Sequence, residues 1–262
     1  MAEGRRGIIS RAPDAAEKLW RMFVAVWSLA TRIPIPRLLL AGDAALPSAD
    51  AITLFPLVGG VIAVVTALPA WGAAYFIPLP AAAWAACGLY VIFGWSLHLD
   101  GWGDLWDGVG SGRRGEAMRA VMKDSRVGSF GVAGIVLALA LRATLLAGID
   151  AGRWLPSLAI AGGAGRFALS AAAYVGHYPW EAGMGREIVN NFEGRHVICS
   201  LVLSCLFIPL NPGACLAGIA ASGLAGAALA MWCDWNLGGV NGDALGAAAV
   251  LGEIIALACC AV

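Results

Sequence analysis

Residues 80–99 read PAAAWAACGLYVIFGWSLHL, and residues 100–108 continue DGWGDLWDG. The first segment is apolar over the roughly 20 residues that a helix needs to cross a bilayer. It runs directly into three carboxylates, Asp100, Asp104 and Asp107, spaced by four and then three. A helix turns by roughly 100° per residue, so these positions fall at about 0°, 40° and −20°. If the segment is helical, the three side chains share one face, where like charges at this spacing repel. A cation would offset that repulsion, and oxygen-only ligands suit a hard ion such as Mg²⁺. The alternative is a solvated acidic face. Against it stand the adjoining apolar run, the interleaved Trp102 and Trp106, and a charged fraction of only 13%.

Outward from this stretch the same pattern repeats. Further apolar stretches cover 52–76, 128–149, 154–175, 197–210, 213–233 and 243–262, with 197–210 the shortest. Hydrophobic residues make up 60% of the 262-residue chain and mean hydropathy is +0.78, whereas soluble domains run near ~45–50% apolar and ~25% charged. The expected fold is an all-α integral membrane protein, a polytopic bundle of about seven transmembrane helices in one domain over 17–262. The 35 glycines suit close helix approach in a membrane. Residues 1–16 read as a disordered basic tail. From Glu17 to Ala30 an amphipathic helix sets Leu19, Trp20, Phe23, Val26 and Trp27 against Lys18 and Arg21, the pattern of an interfacial helix. Pro34 and Pro36 then demand extended chain, and Pro56, Gly59, Gly60 and Pro69 predict a kink or break in the first span.

The connections set orientation. Of 17 Lys and Arg, 14 fall on the face that carries the N-terminus and the 100–127, 176–196 and 234–242 loops. Arg153 lies on the opposite face, and Arg142 and Arg166 within spans. By the positive-inside rule the charged face is cytoplasmic. Zero net charge gives no support to nucleic-acid binding. The seven cysteines contain no C-x-x-C pair and lie mostly in apolar stretches, so neither a disulfide framework nor a zinc site is expected. The N-terminus lacks the pattern of a cleavable signal peptide.

Two further clusters join the acidic row on the polar face. Lys123-Asp124-Ser125-Arg126-Val127-Gly128 sets a carboxylate among cations before a glycine. Arg126 can grip phosphate oxygens in bidentate fashion and Gly128 lets backbone N–H groups approach; the alternative is a capping turn with Arg126 as an anchor. Gly238-Gly239-Val240-Asn241-Gly242-Asp243 places an Asp at the mouth of the last span, as N-cap, as ligand, or as both. Arg142, Arg166 and Glu253 are embedded ionisable residues, which usually face a partner or a cavity. Arg166 is expected to neutralise substrate phosphate, with pairing to Glu253 or the aspartates as the alternative. His98 can serve as ligand, acid or base. His177 and His196 are expected to be solvated, and Glu181, Glu187, Asn190 and Asn191 share their loop. Together these parts suggest metal-assisted phosphoryl-group chemistry, without a Walker loop or a G-x-S-x-G elbow.

The chain closely resembles the cobalamin synthase family, the adenosylcobinamide-GDP ribazoletransferases, over nearly all of residues 20–262. Thr31-Arg32-Ile33-Pro34-Ile35-Pro36, Phe55-Pro56-Leu57-Val58-Gly59, His98-Leu99-Asp100-Gly101 with Asp104, Asp107 and Gly108, and Asp124-Ser125-Arg126 with Gly128 carry the resemblance. So do Gly165-Arg166 with Tyr174, Gly183-Met184-Gly185, and Gly238-Gly239 with Gly242-Asp243, leading to Gly252-Glu253. The chain departs from the family's usual pattern at Trp180, Ala182 and Asn241. The resemblance implies an integral membrane enzyme that joins adenosylcobinamide-GDP to α-ribazole or its 5′-phosphate and releases GMP. It implies Mg²⁺ held by Asp100, Asp104 and Asp107, with Asp124 and Asp243 as additional ligands. Arg126 and Arg166 would stabilise charge on phosphate, Ser125, Gly128 and Gly242 would line the substrate, and His98 or an aspartate would be the base. The implied setting is the inner membrane of a prokaryote, with the site facing the cytoplasm. Beyond substrates and lipid bilayer, a homo-oligomer and other late cobalamin-pathway enzymes are the implied partners. The competing expectations are a CDP-alcohol phosphatidyltransferase, whose motif has Ala-Arg where this chain has Asp104-Leu105, an aromatic prenyltransferase, and a secondary transporter.

Overall fold

The computed structural model describes residues 15–36, 48–183 and 185–262. The N-terminal tail up to residue 14 lies outside them. Helix α1 (Ala15–Ala30) buries Val24, Val26 and Ala30 and leaves Lys18 at 3.7 Å from Asp50. The extended Thr31–Pro36 segment hangs from the bundle: the Arg32 N–H donates to the Phe93 carbonyl at 2.8 Å, and the Trp27 indole donates to the Ile33 carbonyl at 2.8 Å.

The expected break in the first span falls before the helix rather than within it. A short turn, α2 (Ala49–Ile52), ends at Thr53, and α3 (Phe55–Ala73) then runs unbroken through Pro69. Pro56 sits in the first turn of α3, where its missing N–H has no helical partner to lose. The next span, α4 (Leu79–Tyr90), passes into a π-helical turn (Val91–Trp95) and then into α5 (Ser96–Gly110). The chain turns by 97° between Leu79–Gly94 and Ser96–Gly110. Helix α5 therefore leaves the direction of α4 and packs against the starts of α7 and α12.

After α6 (Gly115–Met122) come α7 (Ser129–Ala147), α8 (Trp154–Val175), the short α9 (Gly185–Asn190), α10 (Gly194–Cys205), α11 (Pro212–Leu237) and α12 (Gly242–Ala261). No strand occurs among the described residues. Helix α8 is the axis, buried along nearly its whole length and wrapped by α3, α11 and α12. Small residues make this possible: a Cβ at Gly59 of α3 would lie 2.6 Å from the Gly162 carbonyl of α8, and one at Gly162 2.5 Å from the Gly59 carbonyl. With no hydrophobic drive between helices in lipid, such backbone approach supplies the packing.

All seven apolar stretches are helical. Among the described residues five helices are long and apolar enough to cross a membrane, and α4 and α5 pass that test only as a bent pair, which would make six if it counts as one span. The shortest stretch is α10, of 12 residues, or about 18 Å of helix against a hydrocarbon layer near 30 Å. The chain is an all-α membrane protein whose polar loops share one end. The starts of α3, α7, α10 and α12 and the ends of α4, α8 and α11 all lie there.

Candidate active site at the polar end of the bundle

Helix α5 sets the site. Its N-terminal half packs on the first turns of α12 and its C-terminal half on those of α7. The contact with α12 requires a residue without a Cβ: at Gly101 that atom would lie 2.7 Å from the Asp243 carbonyl oxygen and 2.8 Å from its Cα. Close approach here brings Asp100 and Asp104 beside Asp243. We expect Gly101→Ala, which meets backbone that cannot rotate away, to cost about 1–3 kcal/mol of stability as overpacking. Because the shift separates α5 from α12 at the carboxylates, turnover should fall about 10²-fold, measured beside Tm in one detergent.

Asp243 is fixed by the local sequence. Gly238 takes a left-handed φ of 85° and ends α11, and the Val240 N–H donates to the His177 carbonyl at 2.8 Å. Asn241 then caps α12, accepting from the Ala244 N–H at 2.9 Å while its side-chain amide donates to Asp243 Oδ2 at 2.8 Å. The cap is Asn241, not Asp243, which leaves Asp243 in the first turn facing α5. Asn preceding Gly-Asp at a helix start is a cap signature that could have identified it from sequence.

The three carboxylates of α5 differ. Asp104 is half-buried, and burial together with the charges of Asp243, Asp100 and Asp107 pushes its carboxyl up to about 7. Asp107 turns to α7, its Oδ2 accepting from the Gly128 N–H and its Oδ1 from the Gly131 N–H, each at 2.7 Å. The Gly128 amide expected to approach a phosphate is thus engaged by Asp107. Asp107 shares a groove with Asp124 and Arg126, whereas Asp100 shares a cavity with Asp243. Asp124 receives a bidentate grip from Arg126, Nε to Oδ1 at 3.0 Å and Nη2 to Oδ2 at 2.8 Å, which holds its carboxyl at about 2. Ser125 and Arg126 are exposed on the same turn, and Gly242 is exposed at the cavity wall.

Among the described residues, no three His, Cys, Asp or Glu side chains converge as a ready metal cage. The donor set nevertheless suits Mg²⁺, which keeps several waters and is commonly held by one or two carboxylates plus substrate phosphates. The raised Asp104 marks a place where negative charge is in excess.

Arg166 lies elsewhere. It is 1% exposed and is ion-paired with Glu253, and its Nη1 donates to the Tyr90 hydroxyl at 2.8 Å. The Tyr90 hydroxyl donates to Glu253 Oε1 at 2.7 Å, and Arg142 reaches Glu253 Oε2. The structure therefore places Arg166 in a buried network inside the bundle rather than among the boundary carboxylates. Two of its buried nitrogens, Nε and Nη2, have no partner. His98 is also buried, and its Nε2 has no partner either.

Two loop histidines differ from one another. His177 is largely exposed and pairs with Asp234 at 2.9 Å. His196, expected to be solvated, is buried: Nδ1 accepts from the Glu193 N–H at 2.8 Å and Nε2 lies 3.0 Å from Asp50 Oδ1. Trp180 donates to Glu116 at 2.7 Å under the Arg119 guanidinium, 4.4 Å from the ring centroid, and so ties the 176–183 loop to α6. Of the remaining loop residues, Glu187 borders the cavity, and a polar pocket is lined by Glu181, Glu187, Asn190 and Asn191.

The cavity beneath Asp100 and Asp243 has a volume of ≈ 460 Å³ and walls that include Phe55, Leu97, His98, Leu169 and Leu245. The site thus joins carboxylates and a mostly apolar chamber at the membrane boundary. The family described as cobalamin-5-phosphate synthase matches residues 22–261. A relative from Syntrophobacter fumaroxidans, named adenosylcobinamide-GDP ribazoletransferase, is 35% identical over 252 residues, covering 93% of this chain and 99% of its own. One of the same name from Escherichia coli is 30% identical over 243 residues, covering 90% of this chain and 98% of its own. No solved structure matches the chain. With the match running through the α5 acidic row, the Asp124 turn and the Asp243 cap alike, the chain belongs to the cobalamin-5-phosphate synthase family.

Proposed function

We propose that this chain transfers the adenosylcobinamide phosphate group from adenosylcobinamide-GDP to α-ribazole or its 5′-phosphate and releases GMP. The site faces the cytoplasm from a bacterial inner membrane. The observation that carries this reading is Asp104 at the boundary beside Asp243 and Asp100, where burial and those neighbouring charges push its carboxyl to about 7. It stands in a chain aligned almost end to end with proteins of that name.

Asp100 and Asp104 would hold Mg²⁺, with Asp243 facing the same space. The ion, when bound, neutralises diphosphate oxygens and makes the phosphorus more electrophilic. Arg126 is the exposed cation of the site, with 87% of its side chain accessible. It exchanges Asp124 for phosphate oxygens and stabilises charge on the leaving GMP. Asp107 holds the start of α7 against α5, so that the Arg126 turn stays beside the carboxylates. Asp243, oriented by Asn241, accepts the proton of the ribazole hydroxyl. The hydroxyl oxygen bonds to the phosphorus attached to cobinamide, the bridging P–O bond breaks, and GMP departs with that bond's electrons.

The test is purified protein incubated with adenosylcobinamide-GDP and α-ribazole, with and without Mg²⁺, and GMP counted. Folded protein that releases none would overturn the assignment. A pH test probes the carboxylates separately. Asp104 near 7 in the folded chain lies above the roughly 3.9 of an unfolded Asp, so the native state binds this proton more tightly. Its contribution to stability is full below about pH 4 and is lost as pH rises through about 7. Without metal, Tm should therefore drop over that interval, and Asp104→Asn should flatten the drop. Mg²⁺ should raise Tm more at about pH 8 than at about pH 5.5, because protons compete for the same oxygens.

A further inference from the structure

Asp100 also borders a second cleft, of ≈ 470 Å³, between the end of α1 and the π-helical turn that leads into α5. Ser28, Thr31, Arg32 and Ser96 line it together with Asp100. The chain is pinned on both sides of Arg32. The Phe93 carbonyl, in the π-helical turn, accepts from Thr31 Oγ1 at 2.5 Å and from the Arg32 N–H at 2.8 Å. Thr31 Oγ1 accepts from the Ile33 N–H at 3.0 Å, and the Ile33 carbonyl accepts from the Trp27 indole at 2.8 Å. The Arg32 side chain, in contrast, is exposed, and among the described residues no carboxylate pairs with it. Arg21, Arg119, Arg126 and Arg195 each have such a partner. An unpaired guanidinium on a fixed backbone is preorganised for an anion, because binding has little chain to order and no ion pair to break.

Arg32 and Arg126 stand at opposite ends of the acidic row. Asp100 shares its cleft with Arg32, and Asp107 shares a groove with Arg126. Seven helical positions separate those aspartates, roughly 10 Å along α5. Two arginine side chains reaching inward over such a span can meet on the adjoining phosphates of one diphosphate. We propose that Arg32 binds the donor diphosphate from the Asp100 end, gripping the phosphate that stays with cobinamide while Arg126 takes the one that leaves with GMP. This inference rests on the reaction proposed above, in which Arg126 serves the leaving group. It fixes the direction in which the donor lies along α5. The transferred phosphate is then nearest Asp100, which shares a cavity with Asp243, the group that receives the proton of the ribazole hydroxyl. Arg32 also offsets the charge on that phosphate's free oxygens, which the incoming hydroxyl oxygen would otherwise meet.

The experiment takes the donor apart. Adenosylcobinamide phosphate and GMP are titrated separately by calorimetry against purified full chain with Mg²⁺. Arg32→Ala should weaken binding of adenosylcobinamide phosphate by about tenfold to a hundredfold, the worth of hydrogen bonds to a charged group, and leave the Kd for GMP level. Arg126→Ala should do the reverse. Arg32→Lys should recover part of the loss, because the charge returns without the planar fork. Tm of Arg32→Ala should hold, since every bond that pins the segment comes from main chain, Thr31 or Trp27. Weaker GMP in place of weaker adenosylcobinamide phosphate, or unchanged binding of both, would overturn the assignment of Arg32 while leaving the reaction standing. If wild-type protein bound adenosylcobinamide phosphate through Arg32 yet released no GMP from the complete donor, the reaction would fall and the phosphate grip would stand.

Discussion

Asp104→Asn should slow GMP release by at least about 10³-fold, the scale found when a preorganised charge-stabilising group is removed. The loss should appear in kcat and kcat/KM together, as for a group whose contribution is made in the transition state. The fold should not suffer. Asn at position 104 removes both the burial of a charge and its repulsion from Asp243, Asp100 and Asp107, which together push Asp104 to about 7, so metal-free Tm near neutral pH should hold or rise. An inactive protein at least as stable as wild type separates a site role from a structural one. A variant that retained near-normal turnover would remove Asp104 from the metal site.

Glu253→Gln should have the reverse signature, a damaged fold. Glu253 is fully buried and is the carboxylate between Arg142 and Arg166, with Tyr90 donating to it at 2.7 Å. Without its charge, both buried guanidinium groups lose the carboxylate they share, a change that costs about 3–5 kcal/mol. The loss should be read as a fall in Tm and in folded yield from membranes. Apolar replacement of all three, Arg142→Met, Arg166→Met and Glu253→Leu, should recover much of the stability, since a whole buried network is often dispensable where half of one is not. If Glu253→Gln kept wild-type Tm, ion pairing would not be what holds α7, α8 and α12 together.

Several lines of the sequence could be read directly. The positions and polarity of the apolar stretches require no tertiary information, because the bilayer length is a property of lipid. Likewise, the charge bias of the loops identified the polar end on which α5, the Asp124 turn and the Asp243 cap now meet. The carboxylate spacing of 100, 104 and 107 predicts one helix face, and α5 is helical throughout. What each carboxylate does on that face was not legible. Asp107 is taken by two amides of α7, which begin 21 residues later in the chain. For Arg166 the sequence left three partners open, a substrate phosphate, Glu253 and the aspartates, because a lone embedded cation requires a counter-charge without naming it. Packing of α8 on α12 decided for Glu253. His196 read as a solvated loop residue because its partner, Asp50, lies 146 positions away.

By itself, then, the sequence determined that this chain is a helical membrane protein with its chemistry gathered at one polar end, since hydrophobic length and charge asymmetry act locally and add along the chain. Only the tertiary structure decided which acid faces which, that α5 turns away from α4, and that an apolar cavity opens beneath Asp100 and Asp243. Those depend on where glycine lets two backbones touch, as Gly101 does against Asp243. Such contacts join residues far apart in the chain, and no local pattern encodes them.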